Sequence, residues 1–260
     1  MADWLALSRA ARNDVARVLE ELPLRADREP KVGDGHGGDD TTAIDAAAEA
    51  VIIERFRGED VTLVSEEAGT LGNGRWTVVI DPIDGSLNAK RGIPFFSISI
   101  AVADGDTMDD VVFGYVYDFG TKEEWTAIRG GGALLNGEPI TERPKGEIEI
   151  LSFEATTTAY VSENAARFDG VAHRLRIMGS LAITLCHLAA GRVDGVVSLK
   201  AARSVDIAAA QLLVREQGLA IDLPDDPPFG RAPLDLVGRS RVVAAGTEEL
   251  CARLATALLA

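Results

Sequence analysis

The chain has 260 residues, of which 26 are basic, 41 acidic and 47% hydrophobic, for a formal net charge of −15. That hydrophobic share is enough for one large domain, or two lobes, with a full core. A surface this acidic excludes nucleic acid or an anionic membrane as the main partner, and leaves carboxylates available for cations. Cys186 and Cys251 lie in apolar, helix-like contexts without CxxC spacing, which predicts two buried reduced thiols, with a single disulfide as the alternative. The N-terminal stretch is broken by Arg9, Arg12, Asn13 and Asp14, so it does not read as a signal peptide, and no apolar run is long enough to span a bilayer. A soluble cytoplasmic protein is the expectation.

Trp4, Leu7, Ala11, Val15, Val18 and Leu22 recur at spacings of three and four, which predicts an amphipathic helix over 3–22. Residues 26–41 are polar and rich in Gly and Asp, and read as a mobile loop. A second helix buries Ile44, Ala47, Ala48, Val51, Ile52 and Phe56. Short strands follow over 61–64 and 77–80, then a meander over 96–102 and 111–117, then a turn-rich hairpin at 130–140. From about residue 145 strands and helices alternate: strands at 148–153, 193–199 and 242–246, helices from Gly179-Ser180 to Ala190, from Ser204 to Gln217 and over 247–259. The pattern predicts an N-terminal α+β half, 1–145, and a C-terminal α/β half, 146–260. No linker separates them, so they read as one continuous unit.

The stretch IDPIDGSLN, 80–88, carries the chemistry. An apolar strand ends in Asp81 and Asp84, with Pro82 stiffening the turn and Gly85 letting it bend. A plain turn needs one Asp at most. Mg2+ takes hard oxygen ligands, and two metals about 4 Å apart share a bridging carboxylate. Asp81, Asp84 and the carbonyl of Ile83 are such ligands, and the amides of Gly85 and Ser86 at a helix start suit a phosphate. Three more acids join as candidates, each with a plain alternative. Glu66 ends the preceding strand, but Glu67 beside it makes a surface role equally natural. Asp206 heads an apolar helix, where a cap explains it alone. Asp45 sits in a first helical turn, where an acid is ordinary.

Taken together, Ser65-Glu66-Glu67, the DPIDGSLN stretch and Asp206 opening VDIAAA resemble the inositol monophosphatase and fructose-1,6-bisphosphatase superfamily. The likeness runs from Asp39, Thr42 and Asp45 through IPFFSISIA and GGGALLNGEPI to Arg176-Ile177-Met178-Gly179-Ser180 and VDIAAA. It implies an α/β, layered αβαβα sandwich, commonly a homodimer. It also implies a Mg2+-dependent, lithium-sensitive phosphatase with two to three metals per site, Mn2+ being a substitute. By the same resemblance Glu66, Asp81 and the Ile83 carbonyl hold a first metal, Asp81 bridges to a second, and Asp84 and Asp206 complete it. A third, looser site lies near Glu66 and the loop carrying Asp39. Asp45 and Ser86 orient a metal-activated water and take its proton, with Glu66 beside them. Asp84, Gly85 and Ser86 face the phosphoryl group.

The substrate side departs from strict inositol monophosphatases. Their sugar-binding Glu, seven positions before the last metal Asp, is Leu199 here, and the Trp before that Asp is Val205. The run Ser198-Leu199-Lys200-Ala201-Ala202-Arg203 and Arg174-Leu175-Arg176-Ile177 resemble the archaeal-type dual-activity branch. Lys200 and Arg203 are thus candidates for gripping a second phosphate; the alternative is that they solvate a loop or balance neighbouring acids. Ser180 is a candidate for a sugar hydroxyl, or a helix cap. His36, His187, Phe95, Phe96, Lys31, Lys90 and Arg91 read as structural or surface residues. The expected substrates are fructose 1,6-bisphosphate and inositol 1-phosphate. The alternatives are a 3′-phosphoadenosine 5′-phosphate or NADP(H) phosphatase, and a non-catalytic sugar-phosphate-binding protein.

Overall fold

The apolar residues of successive strands alternate between two partners, and that alternation builds the molecule in layers. The computed structural model describes residues 3–36, 40–154, 157–225 and 228–260. Helix α1 (Trp4–Glu21) is followed by a short α2 (Arg25–Arg28), a ribbon of β1 (Lys31–Asp34) and β2 (Asp40–Thr42), and α3 (Ala43–Phe56). Then come β3 (Val61–Ser65), β4 (Gly69–Gly72), β5 (Trp76–Asp84), a single-turn α4 (Ser86–Arg91), β6 (Ser97–Ala103), β7 (Val111–Asp118), β8 (Glu124–Ile128), β9 (Gly132–Leu135) and β10 (Glu138–Pro139). The remainder is β11 (Ile150–Glu154), α5 (Thr158–Asn164), β12 (Arg174–Arg176), α6 (Leu181–Ala189), β13 (Gly195–Ser198), α7 (Ser204–Glu216), β14 (Ala220–Asp222), β15 (Val243–Ala245) and α8 (Glu248–Leu259).

One eight-stranded sheet runs β10-β9-β8-β7-β6-β5-β3-β4, and a five-stranded sheet runs β12-β11-β13-β15-β14. On the large sheet Val78, Ile80, Ile100 and Val102 face outward and pack on Ala11, Val15, Ile44, Ala48 and Ile52 of α1 and α3. Their neighbours Val79, Ala101 and Ala103 face the other way, onto the layer of α6 and α7, whose far side packs on the small sheet with Val196 and Ala244. The opposite face of that sheet, with Val197, Val243 and Ala245, packs on Leu250, Leu254 and Leu258 of α8. Period-two alternation in both sheets thus gives an αβαβα order of layers. The central helices are apolar on all sides because both their faces meet a sheet, as the buried runs of α6 and α7 show.

Within the stretch 26–41, the described residues 26–36 and 40–41 carry more regular structure than a loop reading allows. Lys31 bridges Asp34 and Asp40, each at 2.6 Å, and the antiparallel pairing of β1 with β2 supplies backbone partners that the polar sequence does not announce. Cys186 and Cys251 are both free and buried. No helix among the described residues is long and apolar enough to cross a membrane.

Candidate active site

Strands β3 and β5 are parallel neighbours paired Ser65 to Ile80, so the next residue of each, Glu66 and Asp81, emerges at the same end of the sheet. Asp84 should then point away from Asp81, because residues three apart in a strand face opposite sides. A bulge resolves this. Asp81 pairs with Ser99 and Asp84 with Ser97, three steps on β5 against two on β6. The extra residue returns Asp84 to the face of Asp81. Pro82 sits inside the bulge, where its missing N–H costs no ladder bond.

Asp84 is held by the helix in front of it: its Oδ2 accepts from Ser180 Oγ at 2.5 Å and from the Ala182 amide at 2.7 Å. Gly85 has φ +92°, and a Cβ there would lie 3.0 Å from the Gly179 carbonyl oxygen and 3.1 Å from that of Phe95. Only glycine fits both the handedness and the space. Ser86 opens α4 and donates from Oγ to the Ile83 carbonyl at 2.9 Å.

Asp206 lies in the first turn of α7, and its Oδ2 accepts from the Arg203 amide at 2.7 Å. It is therefore a cap as well as a member of the acid cluster. Glu66, Asp81, Ile83, Asp84, Gly85, Ser86, Asp45 and Asp206 line one cavity of about 260 Å³, with Asp40, Glu67, Lys90 and Arg203. Burial pushes the Glu66 carboxyl up to about 8, against the pull of Arg203, with Asp206 and Glu67 adding repulsion. Burial also raises Asp84 to about 7, opposed by its bond from Ser180. Asp81 is raised well above the usual range, first by burial and then by Glu66, Asp84 and Asp206. These are carboxylates crowded together out of water, a cluster that calls for positive charge.

Ser86 and Asp45 line the same cavity, each with its own contacts, and two other expectations need correction. Ser86 reaches the carbonyl three residues back, while Asp45 Oδ2 accepts from Thr42 Oγ1 at 2.5 Å and its buried Oδ1 has no hydrogen-bond partner. Ser180 does not present its hydroxyl to a sugar. It is 1% exposed, bonded to Asp84, and caps α6 by accepting from the Ile183 amide. Arg203 does not reach outward with Lys200. It is 9% exposed and turned inward, 2.6 Å from Glu66 and 3.2 Å from Asp206, because uncompensated buried carboxylates draw in the nearest long cation. Balancing neighbouring acids was the alternative reading of Arg203, and it is the arrangement observed. Asp39 lies outside the described residues.

A second cavity of about 400 Å³ adjoins the first and shares Asp84, Arg203 and Asp206 with it. Its wall carries Lys200 and Arg239, the exposed Leu87 and Ile177, and the buried Glu154. Glu154 ends β11 and accepts from the Gly179 amide at 2.8 Å, from Ser152 Oγ at 2.9 Å and from Thr184 Oγ1 at 2.8 Å. Asn88 grips the same loop, donating to the Met178 carbonyl at 2.8 Å. Sequence reasoning missed Lys90, Glu154, Asn88 and Arg239. For Lys90, 3.8 Å from Asp45, a cue existed: it follows Ser86 by four, so both share a helix face. For Glu154 and Arg239 nothing local marks a cavity wall.

Among the described residues no three His, Cys, Asp or Glu side chains are gathered closely enough to hold an ion as they stand. The donor chemistry nevertheless fits a hard divalent cation. Four carboxylates, Asp81 and Asp84 buried and Glu66 and Asp206 partly so, face one cavity with a carbonyl oxygen, three of the acids are held against ionising by burial and by their neighbours, and a guanidinium already stands among them. The mismatch is of spacing, and Arg203 between Glu66 and Asp206 accounts for it.

Residues 4–259 match the profile of the inositol monophosphatase family. A fructose-1,6-bisphosphatase/inositol-1-monophosphatase of Archaeoglobus fulgidus is 35% identical over 246 residues, covering 94% of this chain and 93% of its own. The Nus factor SuhB of Escherichia coli is 38% identical over 192 residues, covering 69% and 70%. A solved inositol monophosphatase–fructose 1,6-bisphosphatase superposes with a TM-score of 0.87 at 27% identity, covering 98% of this chain and 100% of that one.

Proposed function

Because this chain belongs to the inositol monophosphatase family and is a phosphatase, we propose that it is a Mg2+-dependent phosphomonoesterase of sugar phosphates, fructose 1,6-bisphosphate and inositol 1-phosphate in particular. The observation that carries this reading is the bulge that turns Asp81 and Asp84 to one face beside Glu66 and Asp206, at the mouth of a cavity with cationic walls. The reading treats 1–145 and 146–260 as one catalytic unit.

Glu66, Asp81, Asp84, Asp206 and the Ile83 carbonyl would hold two to three divalent ions, Mg2+ or Mn2+. Bound there, such ions supply positive charge to the phosphoryl oxygens and acidify water. The protein's own groups do the rest. Asp45 Oδ1, buried and unpartnered in the cavity wall, receives the proton of the attacking water. Ser86 Oγ spends its proton on Ile83 and keeps its lone pairs to orient that water. Lys90 Nζ stands 3.8 Å from Asp45 Oδ2, a positive charge beside the proton acceptor. The amides of Gly85 and Ser86 face the phosphoryl group. The water oxygen bonds to phosphorus, the ester P–O bond breaks, and the leaving alkoxide takes its proton from solvent. Lys200 and Arg239 face the non-reacting end of the substrate.

A second reading, a 3′-phosphoadenosine 5′-phosphate or NADP(H) phosphatase, draws on one observation. Leu87, 66% exposed, and Ile177, 49% exposed, make an apolar lip on the larger cavity, where a base can lie. Phosphate release from fructose 1,6-bisphosphate, inositol 1-phosphate and 3′-phosphoadenosine 5′-phosphate, with Mg2+ and with EDTA, separates the readings. Metal-dependent turnover of the first two is expected, with inhibition by Li+. Preference for the nucleotide moves the substrate while keeping the site, and silence on all three leaves a binding protein.

A further inference from the structure

Arg203 stands in the wall common to both cavities. Its backbone is fixed at the start of α7, where its amide donates to Asp206. Its guanidinium lies 2.6 Å from Glu66 and 3.2 Å from Asp206. The charge of Asp81 reaches it as well: although burial acts against its charge, Asp206, Glu66 and Asp81 hold it firmly protonated. An arginine cannot leave such a cluster by losing its proton. It can leave only by moving.

We infer that Arg203 is a built-in counter-ion that a divalent cation must displace, and that the displaced guanidinium turns into the substrate cavity and binds anion there. The inference rests on the metal-dependent reading above. Its physical basis is short. The guanidinium occupies oxygens of Glu66 and Asp206 that a divalent cation would need, so the two compete for the same lone pairs and repel each other at that distance. The start of α7 is itself the positive end of a helix, so the side chain gains nothing by staying against it. The open volume beside it is the 400 Å³ cavity that it already lines, with Lys200 and Arg239 on the same wall. Swung there, Arg203 joins those cations around an anion. Metal loading thus creates an anion site, and an anion that holds Arg203 outward makes room for metal. By linkage each ligand tightens the other by the same factor. Arg203 is a positioning residue in this scheme, since it sets the affinity of the acid cavity from outside the ligand set.

The test is calorimetric titration of the full chain with Mg2+ alone, with inorganic phosphate alone, and with each in the presence of the other. Wild type is compared with Arg203→Met and Arg203→Lys. Expected for wild type is weak Mg2+ binding that strengthens about tenfold when phosphate is present. Arg203→Met is expected to bind Mg2+ about tenfold more tightly than wild type without phosphate and to show a smaller reciprocal effect, reduced to the direct attraction between phosphate and the bound ion. Arg203→Lys, shorter but charged, keeps the acids partnered where Arg203→Met does not fold without metal, and is expected to show an intermediate Mg2+ affinity and weakened coupling. A merely structural role would lower the melting temperature and leave the Mg2+–phosphate coupling intact. Unchanged Mg2+ affinity and unchanged coupling in either folded variant overturn the inference alone. A wild-type protein that takes up no Mg2+ overturns the metal-dependent reading and the inference with it.

Discussion

Glu66 and Asp81 stand one residue beyond the paired positions Ser65 and Ile80 of two parallel strands, so one register brings both carboxylates to the same sheet end. Burial and mutual repulsion act against both charges. A site that resists its own charge stores instability that a cation relieves.

Asp81→Asn tests this directly. The amide oxygen can still accept from the Ile83 amide, which Asp81 Oδ1 does at 3.0 Å. Turnover should fall by a factor on the order of 10² to 10³ or more. The metal-free protein should become more stable, because a buried like charge is gone. A gain of about 1 kcal/mol corresponds to a rise of about 2–4 °C in melting temperature for a chain of this size. Thermal melts in EDTA and phosphate release measure the two effects. Retained activity, or a melting temperature that drops, contradicts the assignment.

Gly85→Ala and Gly92→Ala make a matched pair. Both glycines are left-handed, at φ +92° and +70°, at the two ends of α4. A Cβ on Gly85 meets two carbonyl oxygens and Phe96, whereas one on Gly92 meets nothing within 4 Å. Gly92→Ala should cost about 1 kcal/mol from handedness alone and keep activity. Gly85→Ala should cost about 1–3 kcal/mol and lower kcat as well, because relief of the clash shifts Asp84 and Ser86. Equal losses in the two variants would mean that the close approach is not what fixes Gly85.

The acid ligands were legible because DPIDGS compresses a strand end, a bulge and a glycine turn into consecutive residues. Helices α1 and α3 were legible from spacing. What stayed hidden was set by tertiary partners. Strand β8 is short, and its inner face is marked by just Trp125 and the small Ala127, both buried in the core shared with α6 and α7. Ser180 reads identically as a cap and as a contact for a sugar, and Asp84, 96 residues away in sequence, decides between them. Arg203 reads equally as a phosphate contact and as a partner for neighbouring acids, and Glu66, distant in sequence, decides between them. Side-chain direction at a cavity wall is fixed by the charges across it, and no local pattern encodes those.

Lys200 is exposed on the wall of the larger cavity. Lys200→Ala should raise KM for fructose 1,6-bisphosphate by about tenfold, in line with loss of one charge-assisted phosphate contact of about 1.5–3 kcal/mol. KM for inositol 1-phosphate, which has no second phosphate, should change by less than about threefold. Steady-state kinetics on both substrates decides it, and parallel losses would remove Lys200 from the distal end.

His187 gives stability a pH dependence of its own, away from the acid cluster. Its ring packs edge-on to Phe95 at 5.7 Å and beside Trp125 at 6.1 Å. Arg192, which bridges to Glu123 at 2.6 Å, lies 3.3 Å from its Nε2. Burial first, and Arg192 second, lower its pKa to about 4, against a partial counter-pull from Glu123. The fold therefore prefers the neutral ring, while the unfolded chain binds a proton below an ordinary histidine pKa of about 6.5. The preference is fully available above that value. It fades as pH falls from about 6.5 and is gone below about 4, with a slope of at most about 1.4 kcal/mol per pH unit for one proton. Urea unfolding of wild type and His187→Gln between pH 7 and pH 4 isolates this contribution. The variant, having no ring to protonate, should lose stability less steeply over that window. Parallel curves would show that His187 does not titrate on unfolding, and that the pH dependence belongs to other groups.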